Sequence, residues 1–556
     1  MKSLPSRHDV MFRQAVTNRA CVVIPMHILR AERKSLLVRF RRLLLSFGLL
    51  VLALPVFAQD DSLGRTWSIP MFLGDGWWQS MALDIEGNLH VSWYDAIDDN
   101  NVFYDVLAYR KRDIFGNWTD TNNVIVTGTG GVTVRNALAT TSNGMLHAAL
   151  RFQFQHVYAN APVVGADNAA NWSKDLVELD DVGYYLDMIA DRQDTLHVVV
   201  SARYEGIDRL NPSLMNAELV ICPTCSDLYY LRSANYGKTW EGPFPISVLQ
   251  SSGSDRPHVF EGQSGRLYIT WEEGLDWNRG TQGVQPKDVR FVYSDDGGIT
   301  WSDPIILSGD RADAVPLQMS LAEIDPKRLI TIWHYSSDED RGIYYQVSDD
   351  EGVTWTDPTP IPSIYRRGGL FSSQLDRYAL VTDRLGLVHL FAVGQPSLTT
   401  TANPTLYHMI YQPLTDSWSQ PQRILYSPEQ QPEWPEAIVG PSNDIHLIWF
   451  IRGLIEGFAG MQSNTAILKV YYSYLPGNMA AQPTVAFSPT ETPLPSPTPF
   501  RLVDSTATPV STVRPLETSL ALTTRDNYAA QTLLGAIGVV AFLCAGIVAY
   551  VRLRGR

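Results

Sequence analysis

The sequence predicts an all-β protein, and within that class a seven-bladed β-propeller with four strands in each blade. Two recurring patterns carry this prediction. A short turn followed by an alternating strand occurs seven times, 50 to 71 residues apart, and its first copy is EGNLHVSW at residues 86–93. A tyrosine-rich strand follows each copy, and recurring tryptophans mark one further strand per repeat. The seven tryptophans are Trp67, Trp118, Trp172, Trp240, Trp301, Trp355 and Trp418.

The two ends of the repeat array favour a closed ring. Trp67 precedes every other repeat element, whereas the last repeat stops after VYYSYL, residues 470–475, without a tryptophan strand of its own. A first strand that completes the last blade explains both irregularities, and a closed ring protects its sheet edges. We therefore expect the propeller domain to span residues 59–481.

An octapeptide recurs as SANYGKTW at 233–240, SDDGGITW at 294–301 and SDDEGVTW at 348–355. In the second copy, Asp296 is suited to accept hydrogen bonds from nearby backbone amides, and Gly298 tolerates a positive φ. Both properties are what a tight hairpin turn requires, and copies on separate blades cannot form one shared site. We therefore interpret the octapeptides as scaffold turns. Their structural residues are Ser233, Gly237, Trp240, Ser294, Asp296, Gly298, Trp301, Ser348, Asp350, Gly352 and Trp355.

The pattern Ser/Thr-x-Asp-x-Gly-x-Thr-Trp resembles the Asp-box, or BNR repeat, of the sialidase (neuraminidase) superfamily. The resemblance covers the propeller only. Catalytic sialidase propellers have six blades, so a six-bladed ring is the alternative fold. For activity, the resemblance implies an exo-α-sialidase type of glycoside hydrolase, in which three arginines bind the substrate carboxylate, an Asp is the acid/base and a Glu activates a tyrosine nucleophile. Ser68, in WSIP, stands where the family's first arginine is expected.

Long connections between second and third strands are expected on the face opposite the octapeptides, and variable loops on a rigid frame usually form binding sites. Aromatic side chains there offer apolar faces for sugar rings and acidic ones offer hydrogen-bond acceptors, although packing between blades is an alternative role. The predicted ligand-binding residues are Trp77, Trp78, Tyr184, Tyr185, Trp277 and Glu273. The candidate catalytic residues are Arg135, Arg256, Arg311, Arg366, Glu272 and Asp95.

Charge and residue spacing narrow the choice of partners. The net charge is −14 although residues 1–58 hold ten Lys/Arg against two Asp/Glu, so the remaining body is strongly acidic and nucleic acid is not an expected partner. No cofactor or metal is predicted; the acidic run DAIDDNN at 95–101 admits Ca²⁺ but lacks the ordered spacing of a calcium loop. Five histidines at equivalent places in second strands are expected to form hydrogen bonds between blades. They are His90, His147, His197, His389 and His446.

Apolar segments near both ends predict a secreted and anchored protein. Residues 1–58 combine a basic region with an apolar run that ends at Ala58, which is typical of a cleaved signal peptide. The uncharged stretch 533–551, followed by the arginine-rich tail 552–556, predicts one membrane-spanning helix with a cytoplasmic C-terminus. Residues 482–527 are rich in Pro, Thr and Ser, which predicts a disordered stalk.

These features place the propeller on the extracellular face of the cell membrane. In that oxidising location Cys222 and Cys225 are expected to form a local disulfide. The function we favour from sequence is a membrane-anchored propeller that binds carbohydrate or another surface ligand on its long-loop face. An exo-sialidase is one alternative and a protein-interaction propeller is the other, so the sequence leaves open whether the protein is an enzyme.

Overall fold

The computed structural model describes residues 64–480 except for short gaps. The gaps are residues 100–101, 130–134, 153, 181, 204–225, 248–252, 275–287, 308–313, 315, 337–338, 369–376, 400–403, 426–429 and 454–467. The chain divides into two units, Met1–Ser488 and Pro489–Arg556, and every described residue belongs to the first. The predicted signal peptide, stalk, membrane helix, cytoplasmic tail and disulfide all lie outside the described residues. Within the described ranges, no helix is long and apolar enough to cross a membrane.

The described chain folds into seven successive antiparallel sheets, which are the blades of a propeller. Blade 1 contains β2 (Trp77–Leu83), β3 (Leu89–Asp99), β4 (Val102–Arg112) and β5 (Asn122–Thr129). Blade 2 contains β6 (Asn136–Thr141), β7 (Met145–Phe152), β8 (Gln155–Pro162) and β9 (Val177–Glu178). Blade 3 contains β10 (Val182–Ala190), β11 (Leu196–Arg203), β12 (Asp227–Ser233) and β13 (Glu241–Pro245). Blade 4 contains β14 (Ser254–Glu261), β15 (Leu267–Glu273), β16 (Asp288–Ser294) and β17 (Ile305–Ile306).

The remaining three blades complete the ring. Blade 5 contains β18 (Pro316–Asp325), β19 (Arg328–Tyr335), β20 (Gly342–Ser348) and β21 (Thr359–Tyr365). Blade 6 contains β22 (Ala379–Thr382), β23 (Val388–Gly394) and β24 (Thr405–Gln412), with an outer edge formed by β25 (Ser417–Trp418) and β26 (Gln422–Arg423). Blade 7 contains β27 (Gln430–Val439), β28 (Ile445–Gly453), β29 (Leu468–Leu475) and β1 (Met71–Asp75). The prediction of an all-β, seven-bladed propeller is confirmed, and the six-bladed alternative is wrong.

The first strand of the chain closes the ring, as the repeat pattern predicts. Strand β1 pairs with β29, so that Met71 lies opposite Tyr472, and blade 7 has the strand order β1-β29-β28-β27. The indole Nε1 of Trp67 donates a 3.2 Å hydrogen bond to Nδ1 of His408 in the neighbouring blade. Closure therefore joins residues that lie near opposite ends of the repeat array in sequence.

Apolar side chains of the middle strands form the core between blades. The second strands contribute tryptophans that are almost completely buried, namely Trp93, Trp271, Trp333 and Trp449. One cluster joins Ile330 and Ile343 of blade 5 to Leu390 and Met409 of blade 6. Such clusters fix each blade against its neighbour, because an isolated blade would leave both faces of its sheet in water.

The octapeptides form turns between third and outer strands. Asp296 accepts hydrogen bonds from the amide of Thr300 (2.8 Å) and from its hydroxyl (2.6 Å). The hydroxyl of Ser294 donates to Asp296 (2.8 Å) and accepts from the amide of Gly298 (2.9 Å). The carboxylate thus replaces backbone partners that the reversing chain cannot supply.

Each octapeptide also contacts the preceding blade through its tryptophan. The indole lies edge-on against an aromatic side chain of that blade's third strand. The pairs, with centroid distances, are Tyr158 and Trp240 (5.1 Å), Tyr230 and Trp301 (5.0 Å), and Phe291 and Trp355 (5.9 Å). These contacts make the turns part of the interface between blades.

The equivalent histidines hold strands together within a blade. Nδ1 of His197 shares a 2.6 Å hydrogen bond with the Tyr230 hydroxyl, and Nε2 lies 3.0 Å from a carboxylate oxygen of Asp191. The corresponding pairs are His90 with Tyr109, His147 with Tyr158, His389 with His408, and His446 with Tyr472. The expectation of bonds between blades is therefore wrong, because the partner lies on the adjacent strand of the same sheet.

Carboxylates in the turns between inner and second strands should make the free energy of unfolding depend on pH in the acidic range. The amides of Leu385 and Leu387 donate to Asp383 at 2.8 and 2.9 Å. Burial raises the pKa of Asp383, but the His389 ring nitrogen 3.3 Å away and a 3.0 Å hydrogen bond from Asn443 outweigh it and hold the pKa below its ordinary value. A depressed folded-state pKa stabilises the fold above about pH 4, the unfolded value, and this contribution is lost as pH falls through the folded pKa.

We expect Asp383→Asn to lower the free energy of unfolding by about 2 kcal/mol at pH 7 and to weaken the acid dependence. Urea unfolding between pH 3 and 7 measures both effects. Asp303→Asn, at an exposed position, is the matched control and should leave the curve unchanged. Equal curves for the two variants would show that the buried turn carboxylate does not stabilise the fold.

Candidate functional site

The inner strands of the seven blades surround a central channel. Its cavity has a volume of about 940 Å³. At one end it is lined by Trp78, Arg135, Tyr185 and Trp434. At the other end, beside the short turns between inner and second strands, it is lined by Ser142, Arg192, Gln263 and Arg384. These last side chains include exposed ones, so the cavity reaches the short-turn face.

Backbone bulges near the start of the inner strands shape the first of these ends. In four blades the register with the second strand shifts there, and one residue in the shift adopts a positive φ. These residues are Trp78 (52°), Arg256 (53°), Gln318 (58°) and Trp434 (52°). A left-handed φ costs a non-glycine residue roughly 1 kcal/mol or more, and bulges re-aim the side chains they carry. The repetition of this strain in four blades marks this end as specialised.

Three aromatic side chains form a layer across this end of the channel. The ring centroids of Trp78 and Trp434 are 4.7 Å apart, those of Trp78 and Tyr185 are 5.9 Å apart, and Tyr185 stacks on Trp434 at 6.1 Å. The three residues, which we call the aromatic layer, are only 4–7% exposed. Trp78 and Tyr185, which the sequence predicts to offer faces to sugar rings, are largely buried against each other, and both line the cavity.

Three arginines meet at the aromatic layer, and we call Arg135, Arg151 and Arg256 the arginine cluster. The guanidinium carbon of Arg135 lies 4.5 Å from the ring centroid of Trp78, 4.0 Å from that of Tyr184 and 4.2 Å from that of Tyr185. That of Arg151 lies 4.6 Å from the ring of Tyr184. Cation–π contact of this kind is strongest when the cation is desolvated.

Polar contacts link the cluster to tyrosine and carboxylate groups. The Tyr185 side chain interacts electrostatically with both Arg135 and Arg256. Nη1 of Arg256 lies 3.2 and 3.3 Å from the two carboxylate oxygens of Glu272. Two candidate arginines, a predicted ligand-binding tyrosine and a candidate glutamate therefore converge here.

Burial dominates the electrostatics of the site. Burial and then the charge of Arg135 lower the pKa of Arg151 to about 10. Burial raises the pKa of Asp255 to about 7, against hydrogen bonds from the Arg256 amide and the Ser201 side chain. Asp255 is thus only partly ionised at neutral pH, and the arginines outnumber the ionised carboxylates.

Several guanidinium atoms of the cluster lack a partner. Nε and Nη1 of Arg135 and Nε of Arg151 are buried and make no hydrogen bond with the described residues. Buried polar groups are nearly always paired, and leaving one unpaired costs about 1–3 kcal/mol. The site therefore presents N–H groups that an acceptor on a ligand would satisfy.

The other predicted residues lie apart from these unpaired atoms or have structural partners. Arg366 is fully buried, and burial together with the charges of Arg366 and Arg256 holds the pKa of His334 well below its ordinary range. Glu273 accepts hydrogen bonds from the Ser254 hydroxyl (2.7 Å) and from the indole of Trp271 (3.1 Å), so it serves the blade interior.

Trp77 is half-buried against Phe450, with centroids 5.9 Å apart. In the described part of the chain no contact joins Asp95 to the arginine cluster; burial and the charge of Asp75 raise its pKa. Arg311 and Trp277 lie outside the described residues. Nor do three His, Cys, Asp or Glu side chains meet as metal ligands in the part described.

Sequence reasoning missed Arg151 and Asp255. Arg151 is the next-to-last residue of the second strand of blade 2, and Asp255 precedes the bulged Arg256. Both follow strand patterns that otherwise predict only packing. A signal was present in the repeat itself, because aligning the seven second strands places Arg151 level with Ser201 and Glu272.

The chain is therefore a seven-bladed β-propeller with a buried cationic site at one end of its channel. No protein-family model and no curated protein matches it. Similar solved structures include a saccharide-bound ulvan lyase of polysaccharide lyase family 25 (11% identity, 74% of this chain and 96% of that chain covered, TM-score 0.47). They also include the NanB sialidase of Streptococcus pneumoniae (13% identity, 75% of this chain and 69% of that chain covered, TM-score 0.39). A third is an α-L-arabinofuranosidase from Fusarium graminearum (10% identity, 73% of this chain and 97% of that chain covered, TM-score 0.40). These identities and TM-scores are too low to transfer an activity.

Proposed function

We propose that this protein is a carbohydrate-binding propeller whose arginine cluster holds an acidic group of the saccharide. The observation that carries the proposal is Arg135, whose Nε and Nη1 are buried between three aromatic rings and have no partner among the described residues. A carboxylate or sulfate accepts paired hydrogen bonds from the guanidinium fork and supplies the missing charge.

The surrounding charge favours an anion strongly. The chain as a whole carries −14, yet three guanidinium groups meet here beside Glu272, Asp180 and the partly neutral Asp255. In a buried site of low dielectric such an excess acts on a ligand with little screening. A neutral ligand would leave that excess uncompensated.

The carbohydrate part of the proposal has two supports. Glu272 and Asp255 give hydroxyl groups of a sugar acceptors beside the anion site. The octapeptide turns resemble the Asp-box of the sialidase superfamily, in which acidic sugars are the substrates. A protein-interaction propeller would instead use an exposed surface, and nothing in the buried cluster favours it.

A glycoside hydrolase of exo-sialidase type is the second candidate, and a specific observation favours it. Asp255 has a pKa raised to about 7 by burial, which suits a general acid at neutral pH. Tyr185 lies beside two guanidinium groups that favour its ionised form, although burial raises its pKa. These are the groups that the tyrosine variant of retaining hydrolysis needs.

The test uses the full chain in a detergent without a sugar headgroup. Calorimetric titration compares 3′-sialyllactose and a glucuronate-containing disaccharide with neutral lactose. We expect an acidic saccharide to bind, and Arg135→Met to weaken it about 10- to 100-fold, because a hydrogen bond to a charged group contributes about 1.5–3 kcal/mol.

Arg266→Met is the matched control. Arg266 also stacks on an aromatic ring, that of Tyr293 at 4.4 Å, but pairs with Asp295 of an octapeptide. It should leave the affinity unchanged. Tight binding of lactose, or equal affinity of wild type and Arg135→Met, would contradict an acidic ligand at this cluster.

A fluorogenic sialoside added to the same samples separates binding from catalysis. Turnover that Asp255→Asn abolishes would establish the enzyme, whereas binding without turnover supports a lectin-like role. If neither saccharide binding nor turnover is detected, the protein-interaction propeller is the remaining candidate. Placement at the cell surface, through residues 1–58 and 533–551, is part of the proposal and remains a prediction from sequence.

A further inference from the structure

A second group of polar side chains lines the same channel cavity as the aromatic layer. It consists of Asp187, His258, Arg377 and Glu436, which we call the channel ring, and all four line the cavity. Three of them occupy equivalent positions in their blades. Asp187 lies opposite Val199, His258 opposite Thr270 and Glu436 opposite Ile448. In the second strand, each of these partners stands two residues after the position at which the repeat carries its histidine.

Small side chains occupy the same level in other blades. Ser80, Ser320 and Ala379 lie at the equivalent register positions of β2, β18 and β22, and all three line the cavity. The level of the channel ring is therefore not filled by side chains of the described residues. A volume of about 940 Å³ lies in the range of small-molecule sites, roughly 300–1,000 Å³.

Two members of the channel ring, Asp187 and His258, are already hydrogen-bonded to each other. Asp187 accepts hydrogen bonds from Nδ1 of His258 (2.5 Å), from the amide of Val259 (3.0 Å) and from that of Met188 (2.9 Å). This carboxylate keeps little capacity for a ligand. Its partner His258 is held in place and turns its other ring nitrogen, Nε2, away from the bond.

The other two members, Arg377 and Glu436, have hydrogen-bonding groups that are not fully paired within the described chain. Nη1 of Arg377 is 3.8 Å from the nearest oxygen of Glu436, which is too long for a hydrogen bond. The guanidinium carbon lies 5.2 Å from the ring centroid of Trp434, and the indole of Trp434 donates 3.2 Å to Glu436. Within the described chain, no hydrogen bond from the Arg377 guanidinium is formed. Its N–H groups and the Glu436 carboxyl group therefore face the cavity with spare capacity.

The charges of the ring argue against an ionic ligand. Arg377 disfavours a cation and Asp187 disfavours an anion. Burial raises the pKa of Glu436 to about 7, an effect that Arg377 reduces, so near neutral pH this group both donates and accepts hydrogen bonds. A ligand with adjacent hydroxyl groups matches such a pair, because each hydroxyl donates once and accepts twice.

We propose that the channel ring is a binding site for a small neutral polyol, about one sugar residue in size, held by Arg377 and Glu436. Adjacent hydroxyls of the ligand bridge the 3.8 Å gap between these two side chains, and Trp434 flanks them. The ligand enters from the short-turn face, since exposed residues such as Arg384 line the cavity there. This site goes beyond the proposed acidic-saccharide function, and of the described arginine cluster Arg135, but not Arg151 or Arg256, lines the same cavity.

Saturation-transfer NMR on the full chain, in a detergent without a sugar headgroup, tests the proposal. The probes are glucose, galactose, mannose, xylose, myo-inositol and glycerol, with glucuronate and glycine as charged comparisons. We expect transfer to at least one neutral probe. Arg377→Met should weaken its binding at least tenfold, while Glu436→Gln, which keeps a donor and an acceptor, should stay within about threefold of wild type.

Two control variants separate binding at the channel ring from binding at the cavity rim and at the arginine cluster. Arg384→Met, at the exposed rim of the same cavity, and Arg135→Met, in the arginine cluster, should both leave polyol binding unchanged. Urea midpoints equal to that of wild type verify that each variant is folded. Absence of transfer to every neutral probe, transfer to charged probes only, or retained binding in folded Arg377→Met would overturn the proposal. Loss of polyol binding in Arg135→Met would overturn the separateness of the two sites.

Discussion

Replacing Leu73 by aspartate is expected to lower the free energy of unfolding by about 4 kcal/mol, a large share of the roughly 5–15 kcal/mol that folded proteins have. Leu73 is 2% exposed in the strand that closes the ring. It lies in the same apolar cluster as Val470 and Trp93, between the last and the first blade. Its carbonyl accepts a hydrogen bond from Arg110 of blade 1 at 3.3 Å. A carboxylate there is buried among the apolar side chains of this cluster and opens the joint between the ends of the chain.

Phe72→Asp is the matched control, one residue away on the same strand. Phe72 is 45% exposed, so the new carboxylate remains in water and the cost should be about 1 kcal/mol or less. Urea unfolding followed by tryptophan fluorescence measures both variants. Similar destabilisation by the two substitutions would mean that the N-terminal strand does not close the ring in solution.

Gly298→Ala is expected to destabilise the protein by about 3 kcal/mol. A Cβ at this position would overlap the hydroxyl of Tyr230 and lie 2.7 Å from its Cζ atom. Tyr230 cannot move cheaply, because it is fully buried, is hydrogen-bonded to His197 at 2.6 Å and packs on Trp301. The added methyl group therefore either breaks that hydrogen bond or separates two blades.

Gly297→Ala isolates the backbone contribution. Gly297 and Gly298 have similar positive φ values, 69° and 81°, so alanine is strained at both. A Cβ at Gly297 would meet nothing within 4 Å, and this variant should cost only about 1 kcal/mol. The difference between the two variants in urea unfolding gives the energy of the contact with Tyr230. Equal effects would show that only chain conformation, and not packing between blades, selects the octapeptide glycine.

Repeat reasoning succeeded for the scaffold because the information is local. An alternating strand, a turn with Asp and Gly, and a closing tryptophan each follow from neighbouring residues, as in residues 294–301. The alternating strand and the tryptophan each occur seven times, which gives seven blades. Even ring closure, a contact between distant residues, was predictable, since the unmatched Trp67 at one end and the missing strand at the other have one geometric solution.

Register was harder to predict for individual side chains. The sequence shows His197 and Tyr230 in the same repeat, but only the pairing of β11 with β12 places them within 2.6 Å in one sheet. The candidate site had the same difficulty. Arg135, Tyr185 and Arg256 are each candidates from sequence. Their contact depends on bulges in different inner strands, and no local sequence pattern predicts those bulges.

The sequence by itself therefore determined the fold class, the number of blades, the closing strand and the positions of the turns, because each follows from periodicity within a repeat. Only the tertiary structure decided that aromatic residues expected to face a ligand are buried in a layer across the channel. It alone brought three guanidinium groups together at that layer and placed Arg377 and Glu436 beside Trp434 of the same layer. The physical reason is that residues on different blades meet only through the curvature of the ring, and their pKa values and unpaired atoms arise from burial that this closure creates.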